Sequence, residues 1–130
     1  MSEQAQQTNP IGWFEIYTDD LQRAKKFYEA VFQVTLSPLP SPVEGIQMLA
    51  FPSEMTRYGA AGALAHMKKA PAGVGGTLVY FSCEDCAVEA GRVAEAGGKV
   101  MIEKFSIGEY GFICMVMDTE GNMIGMHSMK

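Results

Sequence analysis

No stretch of this chain is apolar over the ~20 residues that a bilayer-spanning helix requires, and charge of one sign is scarce: 10 Lys and Arg stand against 15 Asp and Glu, a formal net charge of −5. Nucleic acids and anionic membranes are recognised through a basic footprint, so neither is expected as a partner. There are three cysteines, an odd number and too few for a disulfide framework. The opening MSEQAQQTNP has no basic region and no apolar segment, unlike a secretory signal. It reads as a flexible arm over 1–10, ahead of a single cytoplasmic domain over 11–130.

What is present suits one folded domain. The 130 residues are 48% hydrophobic, enough for a core and unlike a disordered composition. Ten methionines supply flexible apolar filler. They serve either ordinary core packing or an adaptable apolar pocket.

The chain is patterned twice. WFEIYT (13–18) alternates as a strand does. Asp19 or Asp20 then offers a carboxylate to the free N–H groups of a helix start. Leu21, Ala24, Phe27, Tyr28 and Val31 recur at helical spacing as one apolar face. LVYFSC (78–83), Glu84 and Asp85 repeat the sequence of events, with a thinner helix face of Ala87, Ala90, Val93 and Ala94 ended by Gly97-Gly98. Trp13 and Leu78, like Asp20 and Asp85, stand 65 residues apart. Each half continues through further strand and turn signals, among them the Pro-rich SPLPSPVEG, the strands IQMLAF and AAGALAHM, and later FICMVMD and MIGMHSM around the turn TEGN. The organisation predicted is α+β: two βαβββ modules, 11–67 and 77–130, joined by a Gly- and Pro-containing linker over 68–76 and forming a curved mixed sheet around a shared cleft.

IGWFEIYTDDLQRAKKFYEAVF, YFSCEDCAVEAGRVAEAGGKV and GEYGFICMVMDTEGNMIGM, in this order and spacing, resemble the vicinal oxygen chelate superfamily, the group of glyoxalase, bleomycin-resistance and extradiol dioxygenase folds, over about residues 11–129. More narrowly, WFEIYTDD and YFSCED resemble a glyoxalase-like subgroup. The resemblance implies a site in the cleft and association as a homodimer, with the modules paired within one chain or exchanged between two. In metal-bearing members it also implies four His, Gln or Glu ligands from the first and last strands of each half, suited to Zn, Ni, Fe or Mn.

Transferred onto this chain, those four positions fall on Trp13, Leu78, Gly125 and, on the strand 61–67, Leu64 or Gly62. None carries a lone-pair donor. No metal or other cofactor is therefore expected. Two residues further along each strand, alternation sets Glu15 beside Trp13, Tyr80 beside Leu78, His66 beside Leu64 and His127 beside Gly125. Three readings of this polar set stand. It is a group of partly buried, hydrogen-bonded side chains. Or it contacts a small-molecule ligand, with Trp13, Tyr17, Leu64, His66, Leu78 and Gly125 lining the site and Glu15, Tyr80 and His127 as acid, base or oxyanion donor. Or Glu15, His66 and His127 form a displaced metal site for a lyase, isomerase or dioxygenase. The function expected is a glyoxalase- or bleomycin-resistance-like protein that binds or transforms a small molecule in a metal-free apolar cleft.

Two further motifs are weaker. CEDC (83–86) meets a predicted helix start, where thiols are often activated, but the intervening acids oppose thiolate formation. Arg57 and Tyr58 precede a predicted strand, within reach of an anionic group or simply solvated.

Overall fold

The computed structural model describes residues 9–130, so the arm predicted over 1–10 lies, but for its last two residues, outside the described part. The order of elements is β1 (Ile11–Tyr17), α1 (Leu21–Phe32), β2 (Ser37–Leu39), β3 (Ile46–Ala50), β4 (Ala61–Met67), then β5 (Thr77–Ser82), α2 (Cys86–Ala90), β6 (Lys99–Ser106), β7 (Phe112–Met117) and β8 (Met123–Ser128). Each half is thus βαβββ, and the mixed eight-stranded, two-helix α+β class is the one expected. Part of the Pro-rich segment, read above as a turn, is the short strand β2. Proline cannot donate to a ladder and is tolerated at sheet edges, and Pro38 lies in the outermost strand.

Two compact units result, residues 13–79 and residues 80–130 together with 9–12. In the first, the strands lie in the order β2-β3-β4-β1, with β1 and β4 parallel and the others antiparallel. In the second the order is β5-β8-β7-β6, with β5 and β8 parallel. The first and last strands of each half thus pair in parallel.

The caps settle alternatives that spacing leaves open. Asp20, in extended conformation, caps α1 by accepting from Arg23 N, and Asp19 instead accepts from Ala72 N at 3.2 Å, tying the linker to the end of β1. Asp85 caps α2 from Ala87 N, and its carboxylate also takes Lys104 Nζ at 2.9 Å. That ammonium, then the amide, hold the Asp85 carboxyl below its usual range. Expected to run until Gly97-Gly98, α2 stops at Ala90. Beyond Gly91, a poor helix former, the chain continues in tight turns closed three residues apart, such as Arg92 N to Glu89 O and Val93 N to Ala90 O.

The helix-side core of the first unit is Leu36, Leu49 and Leu64, joined by Ile16, Leu21, Ala24, Tyr28 and Phe51. Phe27 and Val31, expected in the same face of α1, are instead exposed. The apolar arc of α1 is wider than the sheet can cover, so only the Leu21–Ala24–Tyr28 line reaches the core. In the second unit Cys86, Ala90 and Cys114 form the helix-side core, with Cys83, Val100, Phe112 and Met126 packed on it.

Candidate functional site

On β1, residues 13, 15 and 17 project to the sheet face opposite α1, because successive strand side chains alternate. Trp13 and Tyr17 pack there with Ala63, Ala65 and Met48. Between them Glu15 is 9% exposed. Its carboxylate accepts from Trp13 Nε1–H at 3.0 Å on one oxygen and from the Tyr17 hydroxyl at 2.9 Å on the other. The strand thus presents an acid held from both sides by the residues two before and two after it. Burial, then the Glu15 charge, then the hydrogen bond to it push the Tyr17 hydroxyl above its ordinary value, so it stays neutral and donating.

The partner strand corrects the placement of two expected site residues. Pairing sets Glu15 beside Ala63 and Ile16 beside Leu64. In the second unit Tyr80 stands beside Gly125 and Ser82 beside His127. Glu15 and Tyr80 are related by the 65-residue offset, so Gly125 corresponds to Ala63, not to Leu64 or Gly62, and His127 to Ala65, not to His66. Leu64 is fully buried in the helix-side core, and alternation turns His66 to that same side. His66 Nδ1 lies 2.8 Å from the Thr18 carbonyl. A carbonyl only accepts, so this nitrogen carries the proton. Glu15 and His66 therefore occupy opposite faces of their sheet.

On the helix-free face of the second unit, the Tyr80 ring lies across the backbone of Gly125. A Cβ there would stand 2.3 Å from the ring, so the glycine is needed for the ring to lie where it does. His127 shares this side, and its Nε2 donates to the Tyr110 carbonyl. Ile113 and Met115 stand opposite His127 and Gly125 in the antiparallel pair and so share their face. Leu78 is two residues from Tyr80 on β5 and shares its side of that strand.

The family's metal-ligand positions, corrected by pairing to Trp13, Ala63, Leu78 and Gly125, carry no donor atom, and a longer side chain at Gly125 has no room. Among the described residues no group of three or more His, Cys, Asp and Glu is arranged to hold a metal ion. The residues present do not fit the family's metal.

Cys86, the first residue of α2, is buried in the helix-side core, and Cys83 packs against it. Burial first, then Glu89 and the Cys86 thiol, push Cys83 up to about 11, and Cys114 is pushed up to about 12, again chiefly by burial. These are conditions for inert thiols. Arg57 pairs with Glu54 on an exposed turn, 3.5 Å apart.

Spacing on β1 reveals Trp13, Glu15 and Tyr17. It misses Ala63 and Ala65, whose small side chains leave the acid its space. No chemical signal marks an alanine, and only the strand pairing identifies them.

The family model described as Glyoxalase/Bleomycin resistance protein/Dioxygenase superfamily matches residues 10–126. A Mycobacterium bovis protein named "Putative glyoxylase CFP32" is 30% identical over 118 residues, 88% of this chain and 43% of that protein. The chain therefore spans less than half the length of the curated relatives it matches. A Streptomyces coelicolor methylmalonyl-CoA epimerase in complex with 2-nitronate-propionyl-CoA has a similar structure, with TM-score 0.67 and 17% identity over 94% of this chain and 95% of that one. So does hypothetical protein BH1468 from Bacillus halodurans, with TM-score 0.71 and 11% identity over 95% and 96%. At these identities the structural likeness concerns the fold. No helix among the described residues is long and apolar enough to cross a membrane.

Proposed function

The chain belongs to the Glyoxalase/Bleomycin resistance protein/Dioxygenase superfamily, and on that premise we propose that it binds a small organic molecule on the helix-free face of β1, without a metal. The observation that carries this reading is the buried Glu15 carboxylate bracketed by the Trp13 indole and the Tyr17 hydroxyl. An acid fixed in place among aromatic and small apolar groups is what an orienting contact requires, since small-molecule sites are mostly apolar with a few placed polar groups.

Glu15 is the group on this face able to accept a proton from a bound substrate, and Trp13 and Tyr17 keep it in one geometry. Geometry of this kind is the first requirement of a general base. The fold by itself does not choose between binding and turnover, because one fold hosts many chemistries. Tyr80 and His127 belong to the corresponding face of residues 80–130 and are proposed as further ligand contacts there.

The relatives suggest the probes: aldehyde–thiol adducts from the glyoxylase name and acyl-CoA thioesters from the epimerase title. A thermal-shift screen of these classes reads binding directly, because a ligand of the native state raises the melting temperature by mass action. A hit is expected to vanish in W13A and weaken in E15Q. Binding retained in both variants would move the site off this face. Metal analysis of untagged protein tests the other half of the proposal. A stoichiometric Ni, Zn, Fe or Mn content that disappears in H66A/H127A would overturn the metal-free reading.

A further inference from the structure

We propose that His127 accepts a hydrogen bond through Nδ1 from a hydroxyl group of the ligand, and that the turn joining β6 to β7 sets the ring for this task. The inference rests on the small-molecule reading above. It adds the chemistry of the group received on the helix-free face of residues 80–130.

The turn is built to hold one carbonyl still. Between Ser106 and Phe112 the chain makes a single tight helical turn, Gly108–Tyr110. Ile107 N donates to the Gly111 carbonyl at 2.8 Å, and Gly111 N donates to the Gly108 carbonyl at 3.1 Å. Gly108 N also donates to Ser106 Oγ at 3.1 Å. Closed in this way, the turn fixes the direction of the Tyr110 carbonyl, which His127 Nε2 meets. Gly111 allows that approach. Its φ of +104° is in the left-handed region that favours glycine, and a Cβ there would run into the Ser128 carbonyl and stand 3.2 Å from His127 Nε2.

A carbonyl oxygen only accepts, so Nε2 carries a proton. A neutral imidazole has one N–H, and its other nitrogen presents a lone pair. Here that nitrogen is Nδ1. The Tyr110 carbonyl is the ring's hydrogen-bond partner among the described residues. The ring is only partly buried, and the buried side-chain polar atom without a partner belongs to Glu89, not to His127, so Nδ1 is open to a ligand. Ile113 stands directly opposite His127, with Met115 opposite Gly125. Both are buried apolar side chains, and in such surroundings a hydrogen bond counts for more than in water. A lone pair selects a group that has a proton to give. A carboxylate offers none and meets repulsion. Of the two ligand classes named above, an aldehyde–thiol adduct carries a hydroxyl on its reacting carbon, and an acyl-CoA thioester carries none there.

Two measurements on the full chain test this. The first is a long-range ¹⁵N–¹H NMR spectrum of the imidazole rings at about pH 8, where an imidazole is ordinarily neutral. It is expected to show His127 protonated on Nε2 and bare on Nδ1. The second is an NMR titration with the hemithioacetal of methylglyoxal and glutathione, compared with S-(2-oxopropyl)glutathione, which lacks only the hydroxyl. The hemithioacetal is expected to bind roughly three- to tenfold tighter, the size of one neutral hydrogen bond. In H127Q the longer amide still reaches the Tyr110 carbonyl but leaves no acceptor at the Nδ1 position. The preference should vanish there, with the melting temperature close to that of the parent. A proton on Nδ1, equal affinities in the parent chain, or a preference that persists in H127Q would each overturn the role of His127 while leaving the small-molecule reading intact. Binding of neither compound would overturn both. The tautomer and the preference are read on the parent chain, so they decide even if H127Q fails to fold.

Discussion

Glu15→Ala deprives two hydrogen-bond donors of their acceptor at once. The Trp13 indole N–H and the Tyr17 hydroxyl both end on this carboxylate, at 3.0 and 2.9 Å, in a part-buried environment. Each donor left without a partner costs about 1–3 kcal/mol. The truncation should therefore lower stability by roughly 2–5 kcal/mol, with the low end applying where water enters the vacated space. Glu15→Gln behaves differently. The amide oxygen can still accept from Trp13, and the amide nitrogen can donate to a Tyr17 oxygen that turns from donor to acceptor. Both contacts survive as neutral hydrogen bonds, and the expected loss is about 1 kcal/mol. The two variants also differ from the parent in alkali. The Tyr17 hydroxyl titrates above its ordinary value of 10.0 in the folded chain. Its contribution to stability is therefore complete below about pH 10 and is lost as pH rises through the higher folded value. Glutamine removes the Glu15 charge but not the burial, so Tyr17 moves part of the way back and the alkaline loss of stability becomes smaller. Urea unfolding at 25 °C, followed by the fluorescence of Trp13, the chain's one tryptophan, reads the first effect at pH 7 and the second in the fall of stability from about pH 10 toward about pH 12. Equal destabilisation by Glu15→Gln and Glu15→Ala, or a cost under about 1 kcal/mol for Glu15→Ala, would refute a carboxylate that satisfies both donors.

Three further outcomes follow from packing and burial. Gly125→Ala puts a methyl 2.3 Å from the Tyr80 ring and should cost about 1–3 kcal/mol as overpacking; a neutral result in urea unfolding would mean the ring moves freely. Leu64→Ala empties a fully buried position in the helix-side core and should cost about 2–5 kcal/mol, whereas a residue lining an open ligand face would cost much less. Cys83, pushed up to about 11 mainly by burial, should react with iodoacetamide slowly between pH 7 and 9 and accelerate only toward pH 11, and a rate profile with its midpoint near 8.5, as for a free thiol, would contradict the packing described.

Much of this fold is legible in the order of residues because local periodicity and turn chemistry repeat. The 65-residue offset pairs Trp13 with Leu78 and Asp20 with Asp85, and each half becomes βαβββ. The array Trp13–Glu15–Tyr17 is legible too, since alternation along one strand puts every second side chain on one face. The lack of donors at the family's metal-ligand positions can also be read from residue types alone.

What the chain could not specify locally is the relation between strands. In AGALAHM, residues 61–67, small and apolar side chains occupy both sides, so alternation does not say which side meets Glu15. A shift of one residue inverts the face of every side chain. The pairing of Glu15 with Ala63 decides it, sending Leu64 and His66 to the helix side and separating His66 from Glu15. The exposure of Phe27 is decided in the same way: helical spacing marks it as apolar, but only the contact area of α1 against its sheet determines which apolar residues are covered. Periods of 2 and 3.6 are properties of a single segment, so the sequence determined the elements and the side chains that share a face. Register and coverage arise between segments tens of residues apart, and only the tertiary structure decided which face was which.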